Sequence, residues 1–164
     1  MLAKRLSREG FFVYAGCRDA SCEGALQLSK YPNVHVLQMD VTKDNEVDDA
    51  LSLVESNLGT KVLWAVVANA GFASVGLVEW QSMQSIRNIF NINVFGTVNV
   101  CKKFLPLLRK SRGRVILVSS RTTVPYGTPY SMTKHALTSL ADGLRRECFD
   151  QGVDVATIEP VMYK

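Results

Sequence analysis

Residues 115–134 read VILVSSRTTVPYGTPYSMTK. An apolar run, Val115 to Val118, stops at Ser119-Ser120, and Pro125, Gly127 and Pro129 then announce a helical stretch that carries Tyr130 and Lys134. A short β-rich run that gives way to a helix is one repeat of a parallel α/β sheet. Helix pitch stacks residues i and i+4 on one face, so this spacing predicts a phenol and an ammonium side by side. An ammonium one turn away favours phenolate over phenol, and the positive potential at a helix N-terminus acts in the same direction. Together they turn a weak acid into a usable proton donor and acceptor, and a serine hydroxyl at the strand end could polarise a substrate oxygen. By itself Tyr-x-x-x-Lys is a common solvated surface pair, so its weight depends on what surrounds it.

Outward from this stretch, short apolar runs at Phe11 to Ala15, Val34 to Met39, Val62 to Ala68, Val115 to Val118 and Val153 to Ile158 alternate with longer amphipathic segments. That alternation predicts an α/β fold with a doubly wound parallel sheet. Val47, Ala50, Leu51, Val54 and Leu58 fall at helical spacing, as do Leu137, Leu140, Ala141, Leu144 and Cys148, and both stripes read as core faces. Residues 81–110 read as one helix, bent near its end at Pro106. No repeat or low-complexity linker divides the chain, which reads as a single domain over residues 1–164. Doubly wound sheets bind ligands beyond the carboxyl ends of their strands. Asp40, Asn69 to Gly71, Ser119-Ser120 and Pro160 all close strands, so distant segments are expected to meet on one rim.

Composition agrees with a globular domain: 47% of the 164 residues are hydrophobic and 21% charged, which argues against disorder. The net charge of +4 is modest, and Lys102-Lys103 and Arg109 to Arg114 read as solvated helix faces and loop ends rather than a nucleic-acid surface. The four cysteines, Cys17, Cys22, Cys101 and Cys148, have neither disulfide-framework nor zinc-site spacing, so a reducing, intracellular setting is the simpler expectation. No apolar run approaches the roughly 20 residues of a membrane span, so the chain reads as soluble, without metal or nucleic-acid partners.

Asn69-Ala70-Gly71 after the third apolar run, Asn93 within Asn91-Ile92-Asn93-Val94-Phe95-Gly96, Ser119-Ser120, and Tyr130 with Lys134 occur in one order. In this order they resemble the short-chain dehydrogenase/reductase family over essentially the whole chain. The resemblance implies a Rossmann-type fold and an NAD(P)-dependent oxidoreductase. Tyr130 matches the acid/base, Lys134 the lysine that assists it and holds the nicotinamide ribose, and Asn93 the asparagine that supports the lysine. Asn69, Ala70 and Gly71 match an element in which glycine lets the backbone approach the cofactor. Asp40 and Val41 match residues that contact adenine, although a helix cap at Asp40 or Thr42 is a competing reading. For Asn93 the competing reading is a buried amide that satisfies helix backbone.

Arg18 sits where the family often places a basic residue for a 2′-phosphate, which favours NADP over NAD. Asp19 beside it could engage ribose hydroxyls instead, so both cofactors stay open. Ser120 is the chosen catalytic serine, with Ser119 in reserve, because the gap to Tyr130 is shorter than the family usually shows. Pro160 matches the residue after the last visible strand, where the family continues with glycine and this chain has Val161. Residues 12–17 and 152–160 look most like the retinol and 17-beta-hydroxysteroid dehydrogenase branch, whose substrates are small apolar alcohols and ketones. The helices around Phe90 to Leu108 and Ala136 to Cys148 match those through which family members often dimerise, implying a homo-oligomer.

A family member opens with a strand and a glycine-rich loop whose N–H groups hold the pyrophosphate. Here Leu2, Ala3 and Leu6, followed by Gly10, read as the later turns of the first helix, so that loop is expected upstream. Residues 71–76 follow the wrong strand and read as a plain loop. The missing strand would lie at the sheet centre, between the first and third visible strands, and the family's last strand is expected beyond Lys164. Two bare inner edges would cost about 1–3 kcal/mol for each backbone group buried unpaired, unless the flanking strands pair directly. A fragment is the expectation. The competing function is a catalytically inactive binding or regulatory protein on the same fold that pairs with an intact relative, and a membrane-directing segment upstream would allow endomembrane association.

Overall fold

The computed structural model describes residues 2–120, 123 and 125–160. The chain divides into two compact units, Met1–Gly59 and Thr60–Lys164.

The first unit runs α1 (Leu2–Arg8), β1 (Val13–Cys17), α2 (Glu23–Leu28), β2 (Val34–Gln38) and α3 (Asp44–Leu58). Its two strands pair in parallel, Val13 opposite Val34 and Cys17 opposite Gln38. β1 starts two residues later than the apolar run suggests because the Phe11 N–H is spent on Leu6 O at 3.1 Å, closing the end of α1. Asn33 then ties helix to sheet: its Nδ2 donates to Ser7 O at 2.8 Å and to Phe11 O at 2.7 Å. The α3 stripe behaves as read, with Val47, Ala50 and Val54 buried and Leu51 and Leu58 half-buried.

The second unit holds β3 (Ala65–Ala68), α4 (Met83–Phe90), a π-helical segment (Asn91–Gly96), α5 (Thr97–Ser111), β4 (Arg114–Val118), α6 (Thr128–Glu147) and β5 (Asp154–Ile158). The strands lie in the order β3-β4-β5, all parallel, with Ala68 opposite Leu117 and Leu117 opposite Thr157. Parallel pairing puts Asn69, Ser119 and Glu159 beyond the carboxyl ends of neighbouring strands, the rim the sequence predicts. Val115 and Leu117 of β4 pack with Cys101, Leu105 and Leu108 of α5 and Ala141, Leu144 and Cys148 around α6. Complete burial of a leucine such as Leu108 or Leu117 stabilises by about 1.5–3 kcal/mol. Gly113 admits this packing, since a Cβ there would come within 2.6 Å of the Trp64 carbonyl oxygen.

Two expectations need correction in detail. Val62 to Trp64 precede β3 because Ser111 Oγ donates to Leu63 O at 2.6 Å and the Arg114 N–H to Trp64 O at 3.0 Å, which starts the ladder there. The single helix over 81–110 begins at Met83, with Ser82 Oγ accepting the Ser85 N–H at 3.1 Å as N-cap. Its departure from α geometry falls at Asn91–Gly96, and Pro106 lies inside α5. The strands pair in parallel within each unit, β1 with β2 and β3, β4 and β5 in that order. The α/β class with parallel strands stands.

No helix among the described residues is long and apolar enough to cross a membrane, and no cluster of metal-ligating side chains occurs among them. All four cysteines are free thiols. Burial pushes the Cys101 thiol up to about 12 and raises Cys148 as well, whereas Cys22 is exposed. Iodoacetamide at pH 8 is therefore expected to label Cys22 first, and Cys101 and Cys148 only after unfolding, since the thiolate is the nucleophile. Peptide mapping that finds native Cys101 modified as fast as Cys22 would contradict this packing.

Candidate active site

The site grows from the first turns of α6. Gly127 precedes the helix without a side-chain cap, proline occupies the first turn at Pro129, and Ser131 Oγ donates back to Gly127 O at 3.1 Å. Tyr130 is the third residue of α6 and half-buried, while Lys134, one turn on, is only 5% exposed. The Lys134 Nζ lies 5.5 Å from the centroid of the Tyr130 ring. It donates to Val118 O, the last carbonyl of β4, at 2.8 Å. Burial pulls the lysine pKa below its ordinary value, because an ammonium loses solvation there.

The two serines part company. Ser119 is buried, and its hydroxyl donates to Lys134 O at 2.7 Å and pairs with Thr138 Oγ1 at 3.2 Å, so it packs the end of β4 against α6. Ser120 is half-buried beside it. The Ser119 hydroxyl is thereby engaged where β4 meets α6.

Asn93 is fully buried in the π-helical segment. Its Oδ1 accepts the Phe72 N–H at 3.0 Å, and its Nδ2 donates to Phe72 O at 2.9 Å and to Thr133 Oγ1 at 3.0 Å. The backbone this amide satisfies therefore belongs to the loop after β3 and not to a helix, which corrects the competing reading. A buried amide with three partners avoids a penalty of about 1–3 kcal/mol for each group left unpaired. Thr97 Oγ1 donates to the Asn93 carbonyl at 2.9 Å.

Asn69, Ala70 and Gly71 leave β3 as an exposed segment. A Cβ on Gly71 would stand 3.1 Å from Asn93 Oδ1 and 3.7 Å from Lys134 Nζ. Glycine thus leaves an open cradle between the amide and the ammonium. Gly71, Asn93, Tyr130 and Lys134 are brought together by three segments of the second unit, and Thr133, which the motif reading passed over, joins them. Its signal was a hydroxyl at a helix position adjoining Lys134, visible only once its burial is known.

The family model described as short chain dehydrogenase matches residues 1–164. The chain belongs to that family. It is 39% identical to the mitochondrial D-beta-hydroxybutyrate dehydrogenase of Bos taurus over 97% of this chain and 49% of that protein. To estradiol 17-beta-dehydrogenase 2 of Mus musculus it is 45% identical, over 99% of this chain and 44% of the relative. To retinol dehydrogenase 7 of Mus musculus it is 34% identical, over 98% and 51%. The chain spans about half the length of the curated relatives it matches. A solved structure of ElxO with NADP bound superposes with a TM-score of 0.90 at 26% identity, covering 99% of this chain and 68% of that one. The resemblance to the retinol and 17-beta-hydroxysteroid dehydrogenase branch agrees with these matches.

In this member of the short-chain dehydrogenases the first unit carries Arg18, Asp19, Asp40 and Val41. Arg18 is exposed just after β1, its carbonyl accepting from Gln38 Nε2 at 2.7 Å. Asp19 Oδ1 is engaged by the Ser21 N–H at 2.8 Å and the Ser21 hydroxyl at 2.6 Å. Asp40 Oδ1 accepts the Thr42 N–H at 3.0 Å and the Thr42 hydroxyl at 2.7 Å, bonds that hold its carboxyl below the ordinary range. This is a turn closed by a side chain. The α3 cap position is Lys43, whose side chain does not cap the helix backbone, so the helix-cap reading of Asp40 or Thr42 does not hold. Val41 is buried, Pro160 is exposed beyond β5, and Val161 lies outside the described residues.

Proposed function

We propose that the chain carries the acid/base half of an NAD(P)-dependent oxidoreductase that interconverts a hydroxyl and a carbonyl on a small apolar, retinoid- or steroid-like substrate. The observation that supports it most is the Lys134 ammonium 5.5 Å from the Tyr130 ring centroid, beside the cradle at Gly71. An ammonium next to backbone that carries no side chain suits a polyhydroxylated, partly polar ligand such as a nicotinamide riboside. Asn69, Ala70, Gly71, Lys134 and Pro160 are the residues we assign to holding it. In the first unit, Arg18, Asp40 and Val41 are assigned to the adenosine part, with the Arg18 charge favouring NADP. Both units are assigned to one dinucleotide-binding domain over residues 1–164.

When bound, the cofactor supplies or accepts the hydride. Tyr130 gives a proton to the carbonyl oxygen in reduction and takes it from the hydroxyl in oxidation. Lys134 favours the anionic form of that oxygen, and the Ser120 hydroxyl polarises the substrate oxygen. Asn93 keeps the loop after β3 in register with α6.

Turnover of NADPH or NADH with a retinaldehyde or steroid ketone, read as product by chromatography, tests this reading. A full-length chain that binds either cofactor yet shows no product with retinoid, steroid or hydroxy-acid substrates would overturn it.

The same resemblance assigns a homo-oligomer to the helices around Phe90 to Leu108 and Ala136 to Cys148. Support comes from Phe95, 62% exposed, at a shallow groove of about 400 Å³ lined with Ile86, Arg87, Phe90 and Asn91. Sedimentation is expected to show a dimer that Phe95→Glu converts to monomer, because an apolar ring cannot be replaced by a carboxylate in a packed interface. A wild-type monomer at micromolar concentration would remove this assignment.

A further inference from the structure

Thr133 is fully buried, and its hydroxyl has two partners of different kinds. It donates to Tyr130 O at 2.6 Å and receives Asn93 Nδ2 at 3.0 Å. A hydroxyl has one proton. With that proton on the Tyr130 carbonyl, only a lone pair faces Asn93, so the Asn93 amide must turn its nitrogen toward Thr133. Its oxygen is then left for the Phe72 N–H, at 3.0 Å. The remaining Nδ2 hydrogen meets Phe72 O at 2.9 Å. The hydroxyl thus favours the same amide orientation that the Phe72 N–H and C=O require, and it adds the link that ties the segment leaving Gly71 to the Tyr130 turn.

We infer that Thr133 is a positioning residue: through the Asn93 amide it sets the spacing between the Gly71–Phe72 backbone and the helix turn that bears Tyr130 and Lys134. This rests on the oxidoreductase reading for its catalytic meaning, although the link itself is geometric. The neighbouring hydroxyls do other work. Ser119 holds Lys134 O, and Ser131 holds Gly127 O. Of these three, Thr133 alone bridges to both Asn93 and Tyr130.

Thr133→Val keeps the shape and deletes the hydroxyl, whereas Thr133→Ser keeps the hydroxyl. In the valine variant the Phe72 N–H is expected to exchange with deuterium at least about tenfold faster, while the Leu137 and Ala141 amides keep wild-type protection, because only the clamp is lost. With a turned-over substrate, kcat is expected to fall about ten- to a hundredfold with KM within about twofold, and Thr133→Ser to restore both readouts. Wild-type Phe72 exchange and kcat in Thr133→Val, or failure of serine to restore them, overturns the inference. A wild-type chain that binds cofactor but turns nothing over removes the functional reading, and Phe72 exchange still decides whether Thr133 sets the clamp. If the valine variant does not fold, Thr133→Ala is read by the same criteria.

Discussion

Tyr130→Phe is expected to lower kcat by about 10²–10⁴-fold, the usual contribution of a positioned acid/base, with KM within about threefold. Only one oxygen is removed. The ring keeps its place on the first turn of α6, and Lys134 Nζ keeps its position over the ring face. The Tyr130 hydroxyl has no hydrogen-bond partner among the described residues, so its loss leaves no buried group orphaned. The thermal midpoint should accordingly stay within about 2–4 °C, the shift that about 1 kcal/mol produces in a domain of this size. Single-turnover kinetics separate the outcomes: a slow chemical step with unchanged binding supports the assignment. Turnover that survives the substitution within about twofold removes Tyr130 as the proton carrier.

Lys134→Met is expected to cut kcat about 10²-fold or more and, unusually for a buried position, to raise stability near neutral pH. Lys134 is 5% exposed with its ammonium donating to Val118 O. A hydrogen bond from a charged donor contributes about 1.5–3 kcal/mol, against a desolvation penalty of several kcal/mol for the ion. Desolvation is the larger effect, which is why the pKa of Lys134 lies below its ordinary value. The sign of the pH dependence follows from that direction. A base whose folded pKa is depressed binds its proton more tightly in the unfolded chain. Its penalty is complete below the folded pKa, shrinks as pH rises through it, and vanishes above the unfolded value of about 10.4.

The methionine variant should therefore be more stable than wild type at pH 7, and the advantage should close as pH approaches that upper value. Urea midpoints measured from pH 7 to pH 10.5 read this directly. An advantage that stays constant across the range would show that packing, not charge, is responsible.

These two residues were legible in the sequence because i,i+4 spacing on a helix is a local property. So were the core stripes of α3 and α6 and the five strands, whose apolar runs stand out against the helical segments. Strand starts were less legible. Whether Phe11 and Val62 to Trp64 join a ladder depends on where their N–H and C=O groups are already engaged, at Leu6 and at Ser111 and Arg114. What Ser119 engages was similarly closed to sequence reading, since its hydroxyl reaches Lys134 O across 15 residues.

The sequence by itself determined the alternation of parallel strands with helices, the rim at the strand ends, and the pairing of Tyr130 with Lys134 on one helical face. Each follows from periodicities of two or 3.6 residues, which backbone geometry enforces over a few neighbours. Tertiary structure decided the rest. Asn93 meets Phe72 across 21 residues and Thr133 across 40, so its role as a clamp exists only after α4, α5 and α6 have packed. Hydrogen-bond partners at that separation are selected by burial, because a polar group removed from water must find whatever partner the packed chain brings to it.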